Sequence, residues 1–425
     1  MNIESQQLIQ IIDFWQKSID REKLLDRAVL KDINLKSKEV IDIVGPRRSG
    51  KSSVLKLIIK NLNLKDNFLF INFEDPFFIT NNDPQIIEEI ISTFREYFNK
   101  NLEYVFFDEI HEITAWEKAI RKLRDGEKFK IFLTGSSSKL LSGEIASLLT
   151  GRHLSYKVLP LSFSEFLSFK NIEITNAKDQ ILNEKTIQSA FEDYFQVGGF
   201  PEVVVSKNQE LLKNYFSDLL QKDIVMRYNI REKEILEKMA VYVLSNAGKI
   251  ISIESLKEMF RISFTAVSAY LEYFKEAFLI FDLPQFSYSL KDQNKSSKKI
   301  YAIDQGLANV VSFRFSEDRG RILENIVFLE LKRREEEIYY YRTKNNLEVD
   351  FLTREKNQSK ELIQVAWNLD DQATKDREIK SLIQAMTELN LSNGTIVTYS
   401  QEEVVEIENK KIFIKPVYKW LLPNQ

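Results

Sequence analysis

Residues 39–53, Glu-Val-Ile-Asp-Ile-Val-Gly-Pro-Arg-Arg-Ser-Gly-Lys-Ser-Ser, constrain this chain more than any other stretch. They read as a buried strand, a tight loop and the first turn of a helix. Gly45-Pro46-Arg47-Arg48-Ser49-Gly50-Lys51-Ser52 fits the phosphate-binding pattern of two glycines followed by Lys and Ser. Gly45 and Gly50 let the backbone turn its N–H groups toward phosphate oxygens. The helix that follows aims its positive end at the same anion. Lys51 is expected on the β- and γ-phosphates, Ser52 on Mg²⁺, and Ser53 beside them in the first helical turn. The apolar residues Val54, Leu55, Leu57 and Ile58 continue the helix and give the motif the context it requires.

The rest of the N-terminal region supplies partners for that loop. Strands are expected at 40–44, 67–74, 104–107, 130–133 and 154–161, with helices between them. Such alternation predicts an α/β fold: a parallel sheet covered on both faces, with ligands at the carboxyl ends of its strands. An extra strand, 67–74, lies between the loop and the acids in sequence. An amphipathic helix near residues 5–30 is expected to cover the sheet or to contribute to an adenine pocket. The apolar run Tyr104–Phe107 delivers Asp108 and Glu109, the first suited to hold Mg²⁺ and the second to activate water. Thr134 and Ser136 follow the next strand and are expected to sense the γ-phosphate. Arg152 precedes the last strand, as an arginine finger in cis or from a neighbouring subunit, or as a solvent-exposed arginine. With no Asn-Lys-x-Asp motif in the chain, ATP and ADP are favoured over guanine nucleotides.

Composition removes several classes. The 425 residues include no cysteine and only His111 and His153 as histidines, which excludes disulfides and thiolate metal sites and disfavours histidine ones. Sixty basic and 63 acidic side chains, interspersed, give a net charge of −3, so a nucleic-acid surface would have to be local. No apolar run reaches the roughly 18 residues of a membrane span, and the first residues carry no basic leader. A cytoplasmic protein without a membrane partner is the expectation.

Several further stretches extend the pattern: Asn-Phe-Glu-Asp at 72–75, Phe-Phe-Asp-Glu-Ile at 106–110, Leu-Thr-Gly-Ser-Ser at 133–137 and Gly-Arg at 151–152. Pro-Leu-Ser-Phe-Ser-Glu-Phe at 160–166, Gly-Gly-Phe-Pro-Glu-Val at 198–203, Lys-Asp-Ile at 222–224 and Tyr-Ala-Ile-Asp-Gln-Gly-Leu at 301–307 complete it. Together with the loop, these resemble the AAA-type (AAA+ superfamily) P-loop ATPases of archaea and bacteria that carry a winged-helix and nuclease-like C-terminal half. The resemblance covers most of the chain. It implies ATP binding and hydrolysis with Mg²⁺, and no particular pathway.

Four regions are expected: an ATPase domain at 1–162, a helical lid or connector at 163–232, a winged helix at 233–312 and a small α/β nuclease-like domain at 313–425. In the winged-helix region, helices near 235–246, 253–260 and 263–278 precede strands at 279–283 and 299–303. The polar loop 289–297 and its flank carry Lys291, Lys295, Lys298 and Lys299, a candidate wing for double-stranded DNA. Glu272 and Glu276 on the third helix suit base reading poorly and leave a protein partner or self-association equally open. In the last region, Glu324, Asp350 and the strand Gln364-Val365-Ala366 resemble the core of PD-(D/E)xK nucleases. Gln364 stands where a Glu would sit and Ala366 where a Lys would sit, which predicts lost catalysis. The function read from the sequence is Mg-dependent ATP hydrolysis that controls a partner-binding C-terminal half. A slow ATP-regulated switch, and a nuclease built on Glu324 and Asp350, are the alternatives.

Overall fold

The computed structural model describes residues 3–21, 24–126, 129–135, 151–312, 319–334, 337–354 and 360–422. They divide into two compact units, Met1–Leu159 and Pro160–Gln425. Among the described residues no helix is long and apolar enough to cross a membrane.

The first unit is built on five parallel strands: β1 (Val40–Val44), β2 (Phe68–Asn72), β3 (Tyr104–Asp108), β4 (Lys130–Gly135) and β5 (His153–Lys157). Their order is β2-β3-β4-β1-β5. Every residue of β1 is buried, as runs of apolar, β-branched residues require when helices cover both sheet faces. The helix Lys51–Asn61 packs Val54, Leu55 and Ile58 against Ile41, Ile43, Phe106 and Phe132, and the last two rings stack at 4.6 Å. Burying each of those side chains contributes about 1.5–3 kcal/mol. The strand next in sequence after the loop is not the one next to it in space. β2, the expected extra strand, lies at the sheet edge, and β4 lies between β1 and β3. The helix Ile3–Ser18 protects that edge. Gln16 donates from Nε2 to Phe68 O at 2.9 Å and accepts from Phe70 N at 2.7 Å, as a neighbouring strand would.

In the second unit the helices Phe163–Phe169 and Glu184–Val197 share one hydrophobic core with helix Arg319–Arg333 and residues 417–422. The segment read as a lid or connector is therefore part of the C-terminal body. A three-stranded sheet, β6 (Lys249–Ile251), β7 (Ile280–Leu283) and β8 (Lys298–Ala302), has the order β6-β8-β7. It accompanies helices Lys233–Ser245, Ile253–Phe260 and Phe264–Glu276. Part of the expected open loop 289–297 is a helix, Leu290–Lys295, started by Ser289, whose side chain accepts from Asp292 N. The last sheet has six strands: β9 (Glu337–Arg342), β10 (Glu348–Arg354), β11 (Lys360–Ala366), β12 (Asn393–Thr398), β13 (Glu403–Ile407) and β14 (Lys410–Pro416), in the order β13-β14-β12-β11-β10-β9.

Two of the sequence signatures turn out to be halves of one joint. Asp304 starts the helix Gln305–Val311 by accepting from Leu307 N at 2.8 Å, and it accepts from Gly199 N at 2.7 Å. A Cβ on Gly198, whose φ is +81°, would run into that carboxylate, and one on Gly306 would run into Val197 O. Burial pushes the Asp304 carboxyl up to about 6 against these hydrogen bonds.

Candidate nucleotide site

The carboxyl ends of β1, β3 and β4 bring the predicted residues of the first unit together. Gly45 leaves β1 where an added Cβ would collide with Val158 O, so only glycine fits there. Arg48 (φ +67°) and Gly50 (φ +96°) both take left-handed conformations as the loop wraps round. Ser49 N donates to Pro46 O at 3.3 Å, closing the turn. The helix Lys51–Asn61 then begins at Gly50 without a side-chain cap, which leaves its first N–H groups turned into the loop. The buried Ser49 hydroxyl has no hydrogen-bond partner in the protein. This cradle, lined by N–H groups and an orphan hydroxyl, fits a phosphate chain.

The polar side chains at the base of the cradle form one network. Asp108 is fully buried; its Oδ1 accepts from Thr134 Oγ1 at 2.6 Å and its Oδ2 from Asn72 Nδ2 at 2.9 Å. Ser52 also hydrogen-bonds to Asp108. Burial and the neighbouring Glu109 push the Asp108 carboxyl up to about 6, against the hydrogen bonds from Thr134 and Ser52 and the Lys51 charge. Glu109 follows in a left-handed conformation, φ +51°, with its N–H donating to Thr134 Oγ1 at 2.8 Å. Strain of this kind gathers at functional sites. The Glu109 carboxylate lies 3.2 Å from Lys51 Nζ, and Lys51 also donates to Pro46 O at 3.2 Å. Burial alone would raise the Glu109 carboxyl; Lys51, with His111 and Arg47, outweighs it and holds the group below the usual glutamate range. Ser52 and Asp108 are hard oxygen donors placed together, which fits a Mg²⁺ ion.

Two participants, Arg27 and His111, were not singled out by the sequence reading, and Arg47 of the predicted loop makes a contact of its own. Arg27 is buried and donates to Ser49 O and Leu159 O, both at 2.7 Å, fastening the back of the loop. His111 places Nδ1 3.3 Å from Glu109 Oε2 and Nε2 3.4 Å from Glu112 Oε1. Arg47 bonds Glu74 at 2.7 Å, just past β2. Arg27 stands 22 residues before the serine whose carbonyl it holds, so no local pattern could reveal it. For His111, its place two residues after Glu109 was the available clue.

Other predicted residues lie elsewhere. Arg152 cannot act as a finger in cis. β5 runs parallel to β1 with His153 opposite Val40, so Arg152 sits at the amino end of the strands, while the loop leaves the carboxyl end about 16 Å away. Its guanidinium pairs with Asp125 at 3.3 Å. Ser136 lies outside the described residues, as does the Lys295 side chain. Lys299 is no DNA contact: it is 3% exposed and held by three carboxylates of its own unit. Lys298 is exposed and pairs with Asp282 at 2.8 Å, and Lys291 is exposed on the helix Leu290–Lys295.

Comparison with known proteins agrees with this geometry. Residues 37–167 match the AAA domain family, and residues 188–318 and 319–420 match two domains of unknown function. An uncharacterized protein of Methanocaldococcus jannaschii is 39% identical over 95% of this chain and 92% of its own length. One from Haemophilus influenzae is 28% identical over 95% and 98%. Among solved structures, the Thermotoga maritima RuvB Holliday junction branch migration motor aligns over 66% of this chain and 89% of its own at 15% identity. The TM-score of that alignment is 0.28. With its loop, its parallel sheet and a relative matched along almost the whole length, the chain belongs to the family of that archaeal protein and carries a P-loop AAA-type domain at residues 37–167.

Proposed function

We propose that this protein binds ATP at the cradle of the first unit, hydrolyses it, and uses the cycle to control a partner-binding C-terminal half. The observation that carries the reading is the convergence of Lys51, Ser52, Asp108, Glu109 and Thr134 from three strand ends into one buried network. Lys51 would exchange Glu109 for the β- and γ-phosphates. That exchange frees a carboxylate, held in position by Thr134 through its own N–H, to orient and deprotonate water. Thr134 would sense the γ-phosphate, and Ser52 and Asp108 would hold Mg²⁺. The ion, when bound, neutralises charge on the phosphate oxygens. A slower cycle, that of a switch, is favoured by one feature: the Lys51–Glu109 ion pair must open before either residue can act.

The second unit supports the effector reading by topology. Helix, β6, helix, helix, β7, β8, with the short helix Leu290–Lys295 inserted in the last connection, follows the element order of a winged helix, the proposed character of residues 233–312. The mixed sheet behind helix Arg319–Arg333 supports a nuclease-like domain for residues 313–425. On the helix Phe264–Glu276 and its approach, Glu272, Phe264 and Met259 are exposed, and Lys275 is tied to Glu272 and Asp282. These features favour a protein partner, or a second copy of the chain, over double-stranded DNA. The test is steady-state ATP hydrolysis with and without duplex DNA, repeated at raised salt. Indifference to DNA supports the protein partner. Stimulation that fades with salt, as phosphate contacts do, would make this a DNA-coupled ATPase.

A further inference from the structure

Lys299 is the least expected side chain of the second unit. It leaves β8 beside Tyr301, and both reach into a cluster of acids on other elements. Its Nζ lies 3.1 Å from Glu324 Oε1 on helix Arg319–Arg333, 2.8 Å from Glu348 Oε1 and 3.0 Å from Asp350 Oδ1, the last two on β10. An ammonium has three N–H donors, and three carboxylates take them. The outer oxygens have donors of their own: Arg342 at 3.1 Å on Glu348 Oε2, and Val365 N at 3.0 Å on Asp350 Oδ2. Tyr301 donates its hydroxyl to Glu324 Oε1 at 2.6 Å. Burial alone would lower the lysine; the acids reverse this and hold it well above the ordinary range.

We infer that Lys299 is the resident cation of the Glu324–Glu348–Asp350 cluster and closes it to divalent metal. Glu324 and Asp350 are the carboxylates the sequence places in a nuclease-like core, where such acids hold a metal ion. A metal bound by carboxylates needs oxygens at about 2.0–2.6 Å. Here the point on which the acids converge is filled by an ammonium that the chain itself supplies. Among the described residues no group of three or more acids or histidines is arranged to hold a metal ion. Strand β11 agrees: Gln364 turns Oε1 to Asp350 N at 3.3 Å, and Ala366 offers no cation for a nucleophilic water. The cluster instead fastens the three-stranded sheet to the six-stranded one, so the nuclease-like body serves as a joint. This inference is independent of the ATP site.

The test is Mn²⁺ titration of the full chain, without nucleotide, read by the loss of the free-ion EPR signal. Wild type and Asp350→Asn should bind the same amount of Mn²⁺. Lys299→Met should gain a saturable site, and adding Asp350→Asn should abolish the gain. Wild-type binding that Asp350→Asn removes would overturn the inference, as would a folded Lys299→Met protein that binds no more Mn²⁺ than wild type. Should Lys299→Met fail to fold, Lys299→Gln takes its place in the same comparison. Mn²⁺-dependent DNA cutting by wild type that Asp350→Asn abolishes would also contradict it.

Discussion

Glu109 and Asp108 are neighbours with opposite electrostatics, and the difference comes from what surrounds each. Asp108 is fully buried among neutral donors and beside a like charge, and its carboxyl rises to about 6. Glu109 faces Lys51 and stays ionised. The residue types and their spacing were readable along the chain because phosphate chemistry fixes them locally. Arg27 was not, because its two carbonyl partners come together only in the folded sheet. Arg27→Ala leaves both carbonyls without their donor. It should lower stability by about 2 kcal/mol or more, from roughly 1–3 kcal/mol per buried group left unsatisfied. Urea denaturation measures that loss, and a fluorescent ATP analogue should bind more weakly because the loop loses its backing. His153 gives a pH-dependent prediction. Its Nδ1 lies 2.8 Å from Asp42 Oδ1, with Ser155 Oγ also on Asp42. The hydrogen bond to Asp42 raises the imidazole above its ordinary 6.5, over an opposing burial effect. A raised folded value means the contribution to stability is complete below about 6.5 and is lost as pH rises through the folded value. The fall in urea midpoint between about pH 6 and pH 8 should therefore be smaller in His153→Gln than in wild type.

At the scale of elements, periodicity and composition located the parallel strands well, because buried strands read as unbroken apolar runs. Their lateral order was hidden, since it depends on which helices cross which face. β4 lies between β1 and β3, and its place beside β3 is why Thr134 reaches Asp108 and Glu109 at once. β13 and β14 escaped notice for a different reason. In β14 only Ile412, Phe413 and Ile414 are apolar between Lys411 and Lys415, and the edge strand β13 carries Glu403 and Glu406. Such charge-flanked strands look like loops until a sheet is there to receive them. The polar stretch 289–297 is part helix because Ser289 caps it. The joint made by Gly198, Gly199 and Asp304 also belongs here. Gly306→Ala would push a methyl into the Val197 carbonyl and separate two elements packed backbone to backbone. A destabilisation on the order of 3 kcal/mol is expected, at the upper end for overpacking, visible as a lowered urea midpoint. An unchanged midpoint would show that the joint can yield.

At the scale of the whole molecule, two units carry different relations to their sequence signatures. In the first, the motifs converge on one network, and the match to an AAA domain lies over the same residues. In the second, the signatures at 198–203 and 301–307 are structural, and Glu324, Glu348 and Asp350 hold a lysine. We therefore propose that the chemistry lies in the first unit alone. The central claim is that Glu109 activates water while Lys51 and the loop bind nucleotide. The most direct measurement compares ATP binding and steady-state hydrolysis in wild type and Glu109→Gln under the same conditions. Binding should survive in the variant while turnover falls by about 10²–10⁴-fold, the usual contribution of a positioned general base. Wild-type turnover in Glu109→Gln would contradict the assignment.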